Sequence, residues 1–143
     1  MESLTKVQSL SEKLNSIKEA GLSFNEIQLL KMLKIVVKKQ EELLNNVKKA
    51  INGKRWSEVL GTALQLIQRC NMVMVYVMQP TIIGSINDPS LYESIDTLVE
   101  TSTSCISELV TLLKHNSKDL GIESITMNLI TNPLSVSVSI TFK

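Results

Sequence analysis

The run LSVSVSITF, residues 134–142, alternates without a fault: Leu134, Val136, Val138, Ile140 and Phe142 fall on one side, and Ser135, Ser137, Ser139 and Thr141 on the other. A repeat of two is the signature of a half-buried strand. Just before it, Ile122–Ile130 reads as a partner strand and Thr131-Asn132-Pro133 as the turn between them. Upstream of about Leu120 the apolar residues recur at steps of three and four, so the periodicity switches once, from helical to extended. A two-stranded hairpin on its own is marginally stable in water. It must lie on the helices, pair with another chain, or do both. The expected class is mainly α: a four-helix bundle-like domain over residues 1–120, with a β-hairpin appendage over 121–143.

Four long helices are expected. The first, Ser3–Ala20, carries Leu4, Val7, Leu10, Leu14 and Ile17 as one narrow apolar stripe, and Gly21 ends it. A capping box, Ser23 with Glu26, bracketed by Leu22 and Ile27 as a hydrophobic staple, starts the second, Phe24–Asn52. Gly53 stops that helix, and the third, Lys54–Gln79, follows so closely that the two must pack antiparallel. Pro80 ends the third helix, and Thr81–Asn87 reads as an unusually apolar loop. Asp88 as cap and Pro89 at the first position open the fourth, Pro89–Asn116. Its seam of Leu91, Ile95, Leu98, Ser102, Cys105, Leu109 and Leu112 is regular, and the hydroxyl run Thr101–Ser104 marks a place for a bend.

The formal net charge is +1, but it is unevenly placed: eleven Lys/Arg stand against six Asp/Glu up to Arg55, and four against eight beyond it. Such polarity steers an anionic partner to one end or stacks copies of the chain. Aromatic residues are only 3%, which leaves few platforms for stacking bases. The opening MESLTKVQSLSEK has no basic segment leading into an apolar one, so a secretory signal is not expected. The longest near-apolar run, Met72–Met78, is far shorter than the roughly 20 residues of a membrane helix. A cytoplasmic location without membrane contact is the expectation.

No residue constellation announces a reaction, and neither a catalytic residue nor a cofactor is expected. His115 is the single histidine and has no ligand partners at metal spacing, so no metal site is expected. Cys70 and Cys105 occupy apolar helical positions and read as core thiols, although a disulfide joining their helices is an open alternative. Five scattered glycines form no phosphate loop. Glu93, Asp96 and Glu100 share one face of the fourth helix and read as a solvated acidic face.

What remains is charge. On the second helix Lys31, Lys34, Lys38 and Lys48 gather opposite the apolar face, with Lys39, Lys49, Lys54 and Arg55 around the helix end. Lysines in this arrangement can follow a phosphate backbone, whereas Glu41 and Glu42 interrupt them. With few arginines and few aromatic neighbours, sequence-specific base readout is not expected. The candidate nucleic-acid-binding residues are Lys31, Lys34, Lys38, Lys48, Lys49, Lys54 and Arg55. The acidic face of the fourth helix, placed against these lysines on a second copy, would give head-to-tail self-association.

Four long helices, a lysine-faced second helix, no catalytic groups and a short C-terminal β element together resemble the small subunit of archaeal type I-A CRISPR interference complexes, the archaeal Cascade. The resemblance spans the chain as an arrangement of elements. It implies a non-catalytic subunit in antiviral defence that stacks beside the crRNA-binding backbone, meets the other subunits of the ribonucleoprotein, and weakly contacts target or displaced DNA. The alternative class is a helical structural or adaptor protein, for instance viral, that acts through protein contacts alone.

Overall fold

A computed structural model describes residues 1–131 and 134–143. In chain order the elements are α1 (Glu2–Ser16), α2 (Phe24–Asn52), α3 (Trp56–Val77), α4 (Pro80–Ile83), α5 (Pro89–His115), α6 (Ser117–Leu120), β1 (Ile122–Thr131) and β2 (Leu134–Phe142). The four long helices form a ring in which α1 packs on α2, α2 on α3, α3 on α5, and α5 back on α1. Their apolar stripes converge on one core that includes Leu10, Leu14, Leu30, Leu33, Leu44, Leu66, Met74, Ile95, Leu98 and Leu109. The chain is mainly α with a C-terminal hairpin, as its periodicity predicts.

The boundaries correct the sequence reading at several points. α1 stops at Ser16 rather than Ala20, because Ile17 turns extended and the Ser16 hydroxyl donates to Lys13 O at 2.6 Å. Beyond Leu14 only Ile17 still packs on the core, while Lys18, Glu19 and Ala20 are solvated; burial is what sustains a short helix. Gly21 does adopt a positive φ of 89°, in the connection rather than at the helix end. α3 is shorter than expected at both ends, since Lys54 and Arg55 belong to the connection and Met78 caps the helix. The expected loop after Pro80 contains the single helical turn α4, with proline at its first position. Through Thr101–Ser104 α5 continues as helix, with Thr101 and Ser102 buried in the bundle and Thr103 Oγ1 donating back to Val99 O at 2.9 Å, a bond that shares its acceptor with the backbone ladder. β1 runs one residue further than expected, to Thr131, and the remainder of the expected turn, Asn132 and Pro133, lies outside the described residues.

Both capping signals are present, and one does more than cap. Ser23 Oγ accepts from Glu26 N at 3.2 Å, and the Glu26 carboxylate accepts from Ser23 N at 3.0 Å. The other Glu26 oxygen accepts from Asn87 N at 3.2 Å and Asp88 N at 2.9 Å, which ties the start of α2 to the start of α5. These backbone donors, Ser23 first and Asp88 next, hold the Glu26 carboxyl below the usual carboxylate range. Asp88 in turn caps α5 by accepting from Leu91 N at 2.9 Å.

The hairpin lies on the helices. β1 packs on α5 and α6, and β2 on α3. The antiparallel register sets Ile125 opposite Ile140, Met127 opposite Val138 and Leu129 opposite Val136, so these six share one face of the ribbon. Ile125 and Val136 are buried beneath it, together with Ile122. The Val136 N–H donates to Asn71 Oδ1 of α3 at 2.7 Å, which docks the β2 edge to the bundle. Toward the hairpin tip Leu129 is half-exposed. The hydroxyl face, including Thr126, Ser137, Ser139 and Thr141, is turned to solvent.

Candidate nucleic-acid interface

α2 is a 29-residue helix, long enough to cross the whole bundle, and its outer side carries the candidate residues. Lys31, Lys38, Lys48 and Lys49 are exposed, Lys34 is half-buried along its stem, and Lys54 is exposed in the α2–α3 connection. None of these six has a carboxylate within 4.0 Å among the described residues. Arg55 differs: its guanidinium is taken by Glu58, with Nε to Oε2 at 2.7 Å. Lys39 is likewise drawn to Glu42 at 3.5 Å. The surface is therefore a set of six free ammonium groups, with Arg55 only half available.

Their spacing follows from the helix rise of about 1.5 Å per residue. Lys31 and Lys38 lie about 10 Å apart along the axis, and Lys49 follows about 16 Å beyond Lys38. Two clusters result, one around Lys31–Lys38 and one around Lys48–Lys54, separated by the Glu41–Glu42 stretch. Lys54 has a φ of 54°, the one non-glycine residue among those described in the left-handed region. Such a backbone costs a non-glycine residue about 1–2 kcal/mol, and the preceding Gly53, with φ near −89°, does not take that conformation in its place.

The sequence reading missed what stands between the lysines. Ile35 is 71% exposed, and Phe24 at the helix start is 74% exposed. On the neighbouring α3, Met72 and Tyr76 are also solvent-facing, at 61% and 41%. The first α2 cluster thus has apolar side chains within it, whereas the Lys48–Lys54 cluster has none among the exposed large hydrophobics. The signal was present as an isoleucine out of phase with the buried column, at one turn from Lys31 and three residues from Lys38.

The acidic face on α5 is partly used within the chain. Glu93 pairs with Lys13 of α1 at 3.0 Å, while Asp96 and Glu100 have no cation within 4.0 Å among the described residues. An open groove of about 880 Å³ runs between α1 and α5, lined in part by Lys6, Lys13, Thr97, Glu100 and Ser104. Within it Lys6 Nζ donates to Ser104 Oγ at 3.5 Å, both side chains lying at the surface. His115 is exposed at the end of α5. Among the described residues no group of three or more His, Cys, Asp or Glu side chains is placed to hold a metal ion, and no helix is long and apolar enough to cross a membrane.

Both cysteines are buried free thiols, as their helical positions predict. Around them lies a polar layer that the sequence reading passed over. Gln40 of α2, only 2% exposed, donates from Nε2 to Ser102 Oγ of α5 at 3.2 Å and to Cys70 Sγ of α3 at 3.5 Å. Its Oε1 has no hydrogen-bond partner among the described residues. A hydrogen bond with Cys70, together with burial, pushes the Cys105 thiol far above its ordinary pKa.

Comparison with family models, with curated proteins and with solved structures finds no match to this chain.

Proposed function

We propose that this chain is a non-catalytic small subunit of a CRISPR RNA-guided DNA-interference complex, in which the lysines of α2 contact target or displaced DNA without sequence preference. The observation that carries the reading is the row of six lysines on and just after α2 with no carboxylate partner among the described residues. Ammonium groups left unneutralised by their own protomer are available to release counterions from a phosphate backbone. Lys54, kept in a conformation that glycine would adopt without cost, supports a role for its side chain beyond the turn it occupies. The absence of a cluster of exposed aromatics on α2, apart from Phe24, argues against base stacking as the main source of affinity. Binding through α2 is then electrostatic, weak for isolated DNA, and strengthened by the other subunits and by neighbouring copies in the cytoplasmic assembly.

A second reading is favoured by one specific observation. Ile35, exposed between Lys31 and Lys38, is suited to a protein surface with acidic groups around an apolar centre. On that reading the chain is a structural adaptor acting only through protein contacts. Purification of the tagged chain from its native lysate, with and without nuclease, separates the two. Co-purification of a crRNA and large backbone subunits supports the CRISPR reading. Recovery of protein partners alone, unchanged by nuclease, refutes it in favour of the adaptor.

A further inference from the structure

The bundle treats the two edges of the hairpin differently. In an antiparallel pair, residues whose N–H and C=O point at the partner strand alternate with residues whose N–H and C=O point away from it. The Val136 N–H is spent on Asn71 Oδ1 of α3 at 2.7 Å, so Val136 and the opposite residue Leu129 form a pair of the second kind. The only break in register lies between Ile122 and Ser124, and beyond it the pairing is regular. By the period of two, Ile125, Met127 and Leu129 all turn their N–H and C=O to the outer edge of β1. Among the described residues none of these groups bonds to a helix, a loop or a side chain. An edge of this kind is ordinarily blunted by a lysine, a proline or a bulge. Residues 124–131 include no charged side chain and no proline, and Met127 and Leu129 are 36% and 52% exposed.

Beside this edge there is room for one more strand. A cleft of about 530 Å³ is lined by Met127, by Ser104, Ser107 and Thr111 of α5, and by Lys6 of α1. A second, of about 270 Å³, joins Ser124 and Ile125 to Lys114 and Ser117. Neither is lined by a residue of β2, so both lie on the open side of β1. Charge and shape then choose the occupant. The charges around the larger cleft are already spent, since Lys6 pairs with Glu2 at 3.5 Å and Glu108 accepts from Ser3 N and Oγ at 3.0 and 2.9 Å. An uncharged segment therefore matches the cleft. A second copy does not fit it. Two β1 edges would pair antiparallel about a twofold axis normal to the sheet, which sets both bundles on the same side and drives the α1 and α5 of each into the other. We infer that the outer edge of β1 takes an extended, uncharged segment of a partner protein by strand addition along Ile125, Met127 and Leu129. The segment alternates β-branched apolar side chains, which extend the buried face of the ribbon, with small polar ones, which extend its hydroxyl face. Over about 14 Å of edge, at about 3.4 Å per residue, its backbone meets three N–H and three C=O groups. This surface is separate from the lysines of α2 and stands whether or not they bind DNA.

The test uses the full chain and a synthetic peptide of about nine residues, alternating valine and threonine and blocked at both ends. Two further versions carry N-methyl groups on the valines alone or on the threonines alone, so that each loses the amide donors of one peptide edge. Binding and amide hydrogen exchange are followed by NMR. In the chain alone the Met127 and Leu129 amides exchange fast while Thr126 and Asn128, bonded to β2, are protected; the parent peptide then slows Met127 and Leu129. One methylated version binds like the parent, and the other binds at least about tenfold more weakly. Leu129→Pro removes one outward N–H and leaves the bonds of Asn128 and Ile130 to β2 in place, so the helical spectrum is kept and peptide affinity falls about tenfold. Raising sodium chloride from about 50 to about 500 mM leaves peptide binding unchanged, in contrast to contact with a phosphate backbone. The variant with Lys31, Lys34 and Lys38 changed to glutamine binds the peptide as wild type does, which separates this inference from the DNA reading. No binding of the parent peptide, equal binding of the two methylated versions, protection that maps to α2, or sedimentation as a dimer with the Met127 and Leu129 amides already protected would each overturn it.

Discussion

Replacing Lys31, Lys34 and Lys38 together with glutamine gives a countable change in nucleic-acid binding. Among the described residues six lysines have no carboxylate partner, at positions 31, 34, 38, 48, 49 and 54. If each neutralises one phosphate of a duplex, the logarithm of the binding constant falls with the logarithm of salt with a slope of about 5.4, from roughly 0.9 per contact. The triple variant keeps three lysines and a slope of about 2.7. Raising monovalent salt from about 50 to about 200 mM then weakens the wild-type complex about 2,000-fold and the variant about 40-fold. Glutamine is chosen over glutamate because it removes contacts without adding repulsion, and because it keeps helix propensity near that of lysine. Fluorescence anisotropy of a labelled duplex of mixed sequence, titrated at four salt concentrations, reads the slope directly, with circular dichroism as the control for helix content. An unchanged slope in a folded variant would mean that the first half of α2 touches no phosphate. The cationic interface would then shrink to the Lys48–Lys54 cluster, leaving the Ile35 face to proteins.

Three further outcomes follow from particular residues. Lys54→Gly is expected to raise unfolding stability by about 1 kcal/mol, since glycine takes a positive φ freely, while lowering duplex affinity; paired urea and anisotropy measurements that move together in sign would refute the reading of Lys54. Gln40→Met is expected to be neutral or stabilising by about 1 kcal/mol, because losing a buried acceptor with no partner, worth about 1–3 kcal/mol, offsets the loss of the bonds to Ser102 and Cys70; a drop beyond about 2 kcal/mol in urea unfolding would show those bonds to be the stronger effect. Glu26 has a folded-state pKa held down by the Ser23, Asp88 and Asn87 amides, so its stabilisation is present in full above the unfolded carboxyl pKa and disappears as pH falls through the folded one. Glu26→Gln is therefore less stable than wild type near neutral pH, and the gap closes as acidification passes below the ordinary carboxylate range; a gap that stayed constant throughout acidification would show that the charge of Glu26 is not what the amides hold.

Much of the scaffold was legible in the residues. The ends of α2 and the start of α5 carry short-range signals, a capping box and an Asp–Pro opening, whose partners lie within four positions, so no tertiary information is needed to read them. The strand alternation of 134–142 is equally local. The end of α1 was misread because no breaker stands at Ser16; the helix stops where packing against the bundle runs out, and packing is not a property of the segment. The lysines of α2 were found by phase alone, but phase does not say which charges are already spent. Only the folded chain pairs Arg55 with Glu58 and Lys13 with Glu93 while leaving Lys31, Lys34 and Lys38 free.

Gln40 marks the division most clearly. Leu33, Val37, Gln40, Leu44 and Val47 step by four, three, four and three, so the sequence by itself put a glutamine in the buried column of α2. That it would meet Ser102 and Cys70 depended on three helices closing around one axis. Sequence by itself determined the elements and their buried faces, because periodicity and caps act over a few residues. Tertiary structure decided which buried polar groups meet and that Glu93 is spent on Lys13, because each of these needs a partner distant along the chain.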